Sequence, residues 1–307
     1  MATGGITNSD QTDHNSMAFM AKDTVKKLTT KVLRSSKGLA VSKGDLLRVG
    51  YQGTLMSGVE FDANYNFSSF EPVAGRAPFD FTLGIGQVIE GWDKGLVGQR
   101  LGSVVQLTIP ADQAYGKQGN GSIPPNSPLK FKVEVLAVLP AAGGGAVFRD
   151  YKDLGIKTKK IGLSDELIAT TTSSKVGLNG ADALEGTTDN DLLIGLKGKD
   201  QLTGDRGADI LIGGKSKDTF RYASVKDSPT AAGRSDQLLD FGGKDRIHLR
   251  SIAKELQFIG SDPFSGTAGD VRFKKGTLEL DKDGDGKADL ALLLPNTDSL
   301  KASNLIL

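Results

Sequence analysis

Residues 177–221 read GLNGADALE GTTDNDLLI GLKGKDQLT GDRGADILI GGKSKDTFR, five consecutive units of nine residues. Each unit carries Asp at its sixth position and Leu or Phe at its eighth. Glycine accepts positive φ, so the glycine-rich start of a unit can turn tightly, while its last three residues alternate like a very short strand. Units of this kind stack into a two-sided coil. The repeat therefore predicts an all-β, parallel architecture for this half of the chain.

The carboxylates at the sixth positions indicate calcium. In a stacked coil they meet the backbone carbonyl oxygens of neighbouring turns, and calcium prefers six or more such oxygen ligands. The pattern resembles that of RTX proteins, whose nonapeptides form a calcium-binding parallel β-roll. The resemblance implies structural calcium held by these carboxylates: Asp182, Asp191, Asp200, Asp209 and Asp218. The alternative is a glycine-rich linker with solvated acids, which the common register of five units disfavours.

The repeat departs from the RTX pattern at two positions. The second glycine is missing from four units, and Asp189 and Ser216 replace the usual fourth-position glycine. We therefore expect individual calcium sites to be weak or empty.

A second acidic motif follows the repeats, DKDGDGKAD at 281–289. Asp281, Asp283 and Asp285 stand at the first, third and fifth positions of an EF-hand loop, but its twelfth position is Leu292 in place of the bidentate Glu. We interpret the motif as a weak calcium site, and a solvated turn is the alternative.

The end of the chain carries a further resemblance, in LLDFGGKDRIHL (238–249), FIGSDPFSGTAGDVRF (258–273) and SLKASNLIL (299–307). These segments are similar to the C-terminal region of serralysin-type RTX proteases, although no protease domain accompanies them. The resemblance implies an uncleaved C-terminal signal, the type I secretion machinery as a partner, and an extracellular protein. It also fits the polar N-terminus, which has no secretory signal pattern. Asn304 departs from the serralysin-type pattern, because in that family an acidic residue usually precedes the terminal apolar residues.

The front half shows strict alternation of apolar and polar residues at 79–83, 105–109 and 129–135. Such alternation is typical of half-buried antiparallel strands. The segment GWDKGLVGQ (91–99) between the first two runs suits one or two helical turns against a sheet. The pattern predicts an α+β unit. The segment PAAGGGA (140–146) after it reads as a flexible linker, which suggests that the two halves are independent.

The motifs of this unit resemble those of FKBP-type peptidyl-prolyl isomerases over roughly residues 28–139. The resemblance implies a curved antiparallel sheet wrapped on a short helix. The motifs occur in the family's order: YQGTL (51–55), GVEFD (58–62), PFDFTLG (78–84), VIEGWDKGL (88–96), VGQRLGSVVQLTIPADQAYG (97–116) and IPPNSPLKFKVEVL (123–136).

The chemistry of such an isomerase needs no nucleophile. The barrier to rotation about an X-Pro bond comes from amide resonance and is about 18–20 kcal/mol. An aromatic cavity that excludes water favours the twisted amide, because that amide has less charge separation. The resemblance implies a pocket made of Tyr51, Phe61, Asp62, Phe79, Val88, Ile89, Trp92, Tyr115, Ile123 and Phe131.

The resemblance also implies a role for each part of this pocket. Trp92 would be the floor under the proline ring, with Phe61 and Phe131 as walls. The hydroxyl group of Tyr115 and the backbone N–H group of Ile89 would donate hydrogen bonds to substrate carbonyl groups. Asp62 would orient Tyr51 or polarise the twisted amide, without acting as a base.

Two loops differ from those of typical family members. The segment 63–77 is longer, and it offers Tyr65, Phe67 and Phe70 either to fold over the pocket or to bind a partner. The segment KQGNGS (117–122) is short and brings Asn120 and Ser122 to the pocket rim.

Composition excludes several other functions. The chain has no cysteine and only two histidines, so disulfides, thiolate chemistry, HExxH metalloprotease sites and histidine triads are disfavoured. Its 38 basic and 37 acidic residues balance, which disfavours a nucleic acid partner. No run of 18 apolar residues is present, so no transmembrane segment is predicted.

The sequence thus predicts a multidomain protein. Its parts are a disordered N-terminal arm (1–27), an isomerase domain (28–139), a glycine-rich linker (140–147) and an RTX calcium-binding and export domain (148–307). The predicted function is cis/trans isomerisation of X-Pro bonds in polypeptides, without a catalytic cofactor. Two alternatives remain, namely a non-catalytic protein that binds proline-containing segments, such as a chaperone, and a surface or matrix component.

Overall fold

The computed structural model describes residues 25–149 and 151–307. The arm predicted for residues 1–27 lies outside the described residues, except for 25–27. No helix within the described ranges is long and apolar enough to cross a membrane.

The front half is built on one seven-stranded antiparallel sheet with the strand order β1–β7–β8–β2–β3. Strand β6 pairs with β2, β9 pairs with β8, and β4 and β5 form a separate hairpin. The strands are β1 (Thr29–Arg34), β2 (Leu46–Leu55), β3 (Glu60–Ala63), β4 (Tyr65–Asn66), β5 (Glu71–Pro72), β6 (Phe79–Thr82), β7 (Val104–Ile109), β8 (Leu129–Leu139) and β9 (Val147–Phe148).

The apolar face of this sheet packs on a single short helix, α1 (Glu90–Gly95). Alternate residues of β7 and β8, such as Leu107 and Val133, are fully buried in one cluster with Trp92 of the helix. The helix lies close to β7, since a Cβ atom on Gly91 would lie 2.3 Å from Ile109 Cγ2. The predicted α+β unit with a short helix is confirmed.

The back half winds into a parallel coil whose successive strands alternate between two sheets. One sheet has the order β10–β12–β14–β16–β21–β20–β19–β18, and the other β11–β13–β15–β17–β22. The strands are β10 (Ser173–Val176), β11 (Ala183–Glu185), β12 (Asp191–Ile194), β13 (Gln201–Thr203), β14 (Ile210–Ile212), β15 (Thr219–Arg221), β16 (Asp236–Leu238), β17 (Arg246–His248), β18 (Gln257–Phe258), β19 (Asp270–Lys274), β20 (Thr277–Asp281), β21 (Leu290–Leu293) and β22 (Leu305–Ile306).

Two nine-residue units make one turn of this coil. Stacked positions are 18 residues apart, as for Asp182 and Asp200, so the units alternate sides. The eighth-position side chains of both sheets point inward and form one fully buried cluster: Leu184, Leu193, Leu202, Leu211 and Phe220. The all-β parallel β-roll predicted from the repeat is confirmed.

The coil continues beyond the repeats with a different spacing. A loop between β15 and β16 lengthens the next turn, so Asp209 and Asp236 stack although they are 27 residues apart. The first sheet then includes an antiparallel part, β19 to β21, and its edge strand β18 pairs in parallel with β19.

A short helical segment covers the outer face of the first sheet. It contains a 3-10 helix (Tyr151–Leu154), α2 (Thr158–Ile161) and α3 (Asp165–Ile168). Apolar residues of this segment pack against Leu192 and Ile194, which explains why every residue of β12 is buried. Two shorter 3-10 helices lie elsewhere, at Ala111–Gln113 and Ala302–Asn304.

The two halves contact each other despite the glycine-rich linker. The Arg34 guanidinium in β1 pairs with Glu134 of β8, and its Nη1 donates to the carbonyl oxygen of Val176 in β10 at 3.0 Å. The N–H group of Asn179, in the first repeat, donates to the carbonyl oxygen of Leu33 at 2.9 Å. The two halves are therefore not independent in the structure, contrary to the prediction from the linker.

Candidate functional site

A cleft of about 570 Å³ opens between the sheet of the front half and α1. All ten residues predicted for the pocket line it, together with Gln87, Asn120, Gly121 and Ser122. The residues come from distant parts of the chain, because β2, β3, β6 and β8 each deliver one or two side chains to the same side of the helix.

Aromatic rings form the floor and the walls of this cleft. Trp92 is only 4% exposed, and its ring centroid lies 5.2 Å from that of Phe131 in an edge-to-face arrangement. Phe61 meets Phe131 in the same way at 5.4 Å. This close approach needs Gly53, because a Cβ atom there would lie 2.7 Å from both rings. Phe79 is 39% exposed at the opening, whereas Phe81, on the same strand, is buried in the core.

A chain of polar contacts crosses the rim of the cleft. The Tyr51 hydroxyl donates to Asp62 Oδ2 at 2.5 Å, and Arg76 forms an ion pair with Asp62 Oδ1. Burial and the hydrogen bond to Asp62 raise the pKa of Tyr51 to about 12, so the hydroxyl keeps its proton and acts as the donor. Asp62 thus has partners on both oxygens.

The loop before α1 is fixed by the helix itself. Asp93 in the first turn accepts hydrogen bonds from the N–H groups of Gly84 and Gly86, at 2.7 and 2.8 Å. Ile89 is the N-cap residue of α1, at the cleft wall. The contacts hold the start of the helix, and with it Val88 and Ile89, against the cleft.

The sixth-position carboxylates of the back half form two ladders. On one side, each backbone N–H group donates to Oδ1 of the next carboxylate at 2.9–3.0 Å, in the order Asp182, Asp200, Asp218 and Asp245. On the other side the order is Asp191, Asp209 and Asp236, with distances of 2.8 and 3.0 Å. The ladders bring all five predicted sixth-position ligands into regular stacks.

The ladders leave carboxylate oxygens without partners. Among the described residues, Oδ2 of Asp200, Asp209, Asp218 and Asp236 is buried and receives no hydrogen bond. Burial, with neighbouring carboxylates as a further cause, raises the pKa of Asp200 to about 7 and that of Asp209 to about 9. Buried oxygens of like charge are unfavourable without a cation. This donor set therefore fits calcium.

The acidic loop at 281–289 fits calcium less well. One carboxylate oxygen from each of Asp281, Asp283 and Asp285 lies within 4.8 Å of the others. The Asp281 oxygens already accept hydrogen bonds from the N–H groups of Gly284 and Gly286, at 2.7 and 2.8 Å. Leu292, at the twelfth position, is buried in β21 and offers no ligand.

Comparison with known proteins assigns the two halves of the chain to different families. Residues 38–136 match the family model of FKBP-type peptidyl-prolyl cis-trans isomerases, and residues 169–306 match that of the peptidase M10 serralysin C-terminal region. FK506-binding protein 1 of Saccharomyces cerevisiae is 45% identical over 31% of this chain and 77% of its own length. A peptidyl-prolyl cis-trans isomerase of Schizosaccharomyces pombe is 42% identical over 35% of this chain and 90% of its own length.

The chain belongs to the FKBP-type peptidyl-prolyl isomerase family. It joins that domain to a serralysin-type C-terminal domain, which carries RTX-type repeats. Another relative, FK506-binding protein 4 of Gibberella zeae, is 38% identical over 44% of this chain, but the chain spans only about a quarter (26%) of its length.

Sequence reasoning missed several residues of the FKBP-type cleft and of the ladders. Arg76 carries no pattern of its own, and only the fold brings it to Asp62. Asp236 and Asp245 lie beyond the nine-residue register, because the loop before β16 lengthens one turn. One signal did exist, since Asp-Gln-Leu occurs both at 200–202 and at 236–238.

Proposed function

We propose that the protein catalyses cis/trans isomerisation of X-Pro bonds in polypeptides, in the aromatic cleft of its FKBP-type half. The observation that carries the proposal is the convergence of Phe61, Trp92 and Phe131 on one cleft, beside the Tyr51–Asp62 hydrogen bond. A proline ring that binds on Trp92 would be removed from water. The twisted amide is favoured in this environment because its charges are less separated than those of the planar amide.

The remaining pocket residues have roles in this proposal. The hydroxyl group of Tyr115 and the N–H group of Ile89 hold substrate carbonyl groups, and Phe79, Val88 and Ile123 close the apolar wall. Asp62 is a charged partner of Tyr51 and Arg76, which is a positioning role and not that of a base. No covalent step is needed, and no cofactor takes part in the isomerisation.

The isomerase proposal is tested by NMR exchange spectroscopy on an Xaa-Pro peptide. The full chain should accelerate exchange, and Phe61→Ala and Asp62→Ala should lose most of the acceleration. Phe148→Ala is the matched control, because Phe148 is 64% exposed outside the cleft. A parent protein that binds the peptide but leaves exchange at the uncatalysed rate would refute catalysis and support the proline-binding alternative.

We also propose that the roll binds structural calcium through the two carboxylate ladders. The ligands are the sixth-position carboxylates at 182, 191, 200, 209 and 218, with backbone carbonyl groups of the glycine turns. Calcium places a positive charge beside the unpartnered Oδ2 atoms. The free energy of calcium binding then adds to the stability of the folded roll. The acidic loop with Asp281, Asp283 and Asp285 is a weaker additional site.

The calcium proposal is tested by titrating the chelator-treated chain while following far-UV circular dichroism and bound calcium. Addition of calcium should increase the β signal, and Asp209→Asn should lower the number of ions bound. Asp285→Ala tests the acidic loop separately, and a stoichiometry equal to that of the parent would remove that site. A parent that binds no calcium would refute the proposal for both.

We further propose that the protein is exported through the type I secretion machinery and acts outside the cell. Support comes from the match of residues 169–306 to the serralysin C-terminal region. The full chain should reach the medium only from cells with a working type I exporter. Equal release without the exporter would contradict the proposal. Retention at the cell surface until calcium is chelated would favour a surface or matrix role.

A further inference from the structure

The long loop of the FKBP-type half, residues 64–76, reaches from the cleft to the roll, and we call it the bridging loop. It contains the hairpin of β4 and β5, with Tyr65 opposite Pro72 and Asn66 opposite Glu71. The sequence left open whether this segment folds over the pocket or binds a partner. In the structure its tip contacts the other half of the same chain.

The tip is anchored by an aromatic side chain. Phe70 is buried in the apolar cluster that also contains Leu184, Leu193 and the other inward residues of the roll. Its φ is 58°, a left-handed conformation that is rare for a bulky residue. Such a conformation persists only where the surroundings over-determine it. The roll is therefore what holds Phe70.

An ion pair lies beside this anchor. Nζ of Lys175, in β10, lies 2.6 Å from Oε1 of Glu71 and also donates to the carbonyl oxygen of Glu185. The Lys175 side chain is only 6% exposed, whereas that of Glu71 is 48% exposed. A buried ammonium group requires its partner more than a surface one does. Lys175 thus fixes the position of Glu71.

The other end of the bridging loop is bonded to the cleft. Asn64 Oδ1 accepts a hydrogen bond from the Tyr51 N–H group at 2.6 Å, and its Nδ2 donates to the carbonyl oxygen of Val49. The N–H group of Val73 donates to the carbonyl oxygen of Asn64 at 3.0 Å. Arg76, five residues after Glu71, pairs with Asp62. Both members of the Tyr51–Asp62 pair therefore depend on this loop.

We propose that the bridging loop positions Tyr51 and Asp62 for isomerisation, and that the folded roll holds the loop through Phe70 and Lys175. Phe70, Glu71 and Lys175 are positioning residues that do not touch the substrate. Because calcium folds the roll, the isomerase activity depends on calcium although no calcium ion takes part in the reaction. This inference rests on both proposed functions, the isomerase and the calcium-folded roll.

The test compares kcat and KM of full-length variants for an Xaa-Pro peptide in saturating calcium. Phe70→Ala and Lys175→Met should lower kcat/KM by about three- to thirtyfold, the range of couplings between linked sites. The loss should be in kcat, because the loop positions Tyr51 and Asp62 beside the twisted amide and adds no contact to the bound peptide. Lys175→Arg keeps the charge and should restore most of the activity. Lys254→Met removes an exposed lysine of the same half and should match the parent.

A second readout follows the cleft without turnover. Trp92 is the only tryptophan of the chain and forms the cleft floor, so its fluorescence reports on the pocket. Calcium added to the chelator-treated parent should shift the Trp92 emission, and Phe70→Ala should reduce that shift. Circular dichroism checks that each variant has a folded roll. If Lys175→Met fails to fold, Glu71→Gln breaks the same ion pair from the exposed side.

Several outcomes would overturn the inference. One is parent-like kcat and Trp92 emission in Phe70→Ala and Glu71→Gln with a folded roll. Another is an unchanged kcat in chelator when circular dichroism shows that the roll has unfolded. A parent that binds no calcium would refute the calcium proposal, and the variants would still decide the role of the loop. A parent without isomerase activity would refute the proposed isomerase function. The Trp92 emission of the variants would then still show whether the roll holds the bridging loop.

Discussion

Asn304 shows how one side chain closes the end of the roll. Its Nδ2 donates to the carbonyl oxygens of Gly243 and Asp245, at 3.2 and 3.0 Å, and the side chain is buried. The resemblance to serralysin-type proteins predicts an acidic residue here, but a carboxylate cannot donate to two carbonyl groups. The amide is therefore the side chain that this arrangement requires.

We predict that Asn304→Asp destabilises the protein in saturating calcium by about 1–3 kcal/mol, since it leaves buried acceptors unpaired. Denaturant unfolding at fixed calcium measures the difference. Asn296→Asp is the matched control, because Asn296 also donates to two carbonyl oxygens but is exposed, and water can replace its bonds. An equal loss of unfolding free energy in the two variants would contradict the role of burial at Asn304.

At the scale of single residues, the sequence predicted side chains that belong to a motif and missed those that act through the fold. The ten cleft residues lie in segments whose order is characteristic of the family, and they line one cleft. Arg76 and Lys175 each contact a residue of another segment, Asp62 and Glu71, and no local pattern marks such a pair.

Among the elements, two tight turns of the roll depend on glycine at the fourth position of the unit, at Gly198 and Gly207. Gly198 has a φ of 147°, and a Cβ atom there would lie 2.1 Å from the carbonyl oxygen of Gly180. Gly180 occupies the same position of the first unit but has open space around it. Ser216 keeps a positive φ of 104° at this position, so that turn retains its shape at a cost in strain.

We predict that Gly198→Ala raises the calcium concentration needed to fold the roll, because strain and the backbone clash cost about 1–3 kcal/mol. A calcium titration followed by circular dichroism gives the midpoint. Gly180→Ala adds the same methyl group without the clash and should leave the midpoint near that of the parent. Coincident midpoints for the two variants would show that the turn tolerates a side chain.

Elements with a strict period were predictable, and elements formed by tertiary contact were not. The nine-residue repeat and the runs at 105–109 and 129–135 each match a strand of the structure. The covering segment with α2 and α3 has four-residue helices, and these form because they pack on β12. Helices this short have little intrinsic stability, so the sequence alone gives no signal for them.

For the whole molecule, the buried Glu134 connects both halves. It pairs with Arg34, which bonds to β10, and with Arg149, which follows the linker. The two guanidinium groups hold the pKa of Glu134 below its usual value of 4.5 although burial opposes them. Its contribution to stability is therefore present above pH 4.5 and is lost as pH falls through the folded-state pKa.

We predict that Glu134→Gln destabilises the protein by about 3–5 kcal/mol at pH 7 in saturating calcium, because the buried Arg34 and the partly buried Arg149 lose their partner. The difference from the parent should shrink as pH falls from 4.5 through the folded-state pKa of Glu134, below which the parent's carboxylate is itself protonated. Denaturant unfolding over a pH series measures it. Glu90→Gln removes an exposed, i to i+4 ion pair and should cost about 0.5 kcal/mol or less. A pH-independent loss in Glu134→Gln would rule out a charge effect.

The docking through Phe70 limits how the protein can be divided. A graft of the FKBP-type half onto another carrier, cut at the glycines 143–145, would leave Phe70 and Glu71 facing solvent and Arg34 without its acceptor at Val176. The cut roll would keep Lys175 without its carboxylate partner. A transplant that works has to replace the hairpin of β4 and β5 as well, so the exchangeable unit is set by contacts far from the linker.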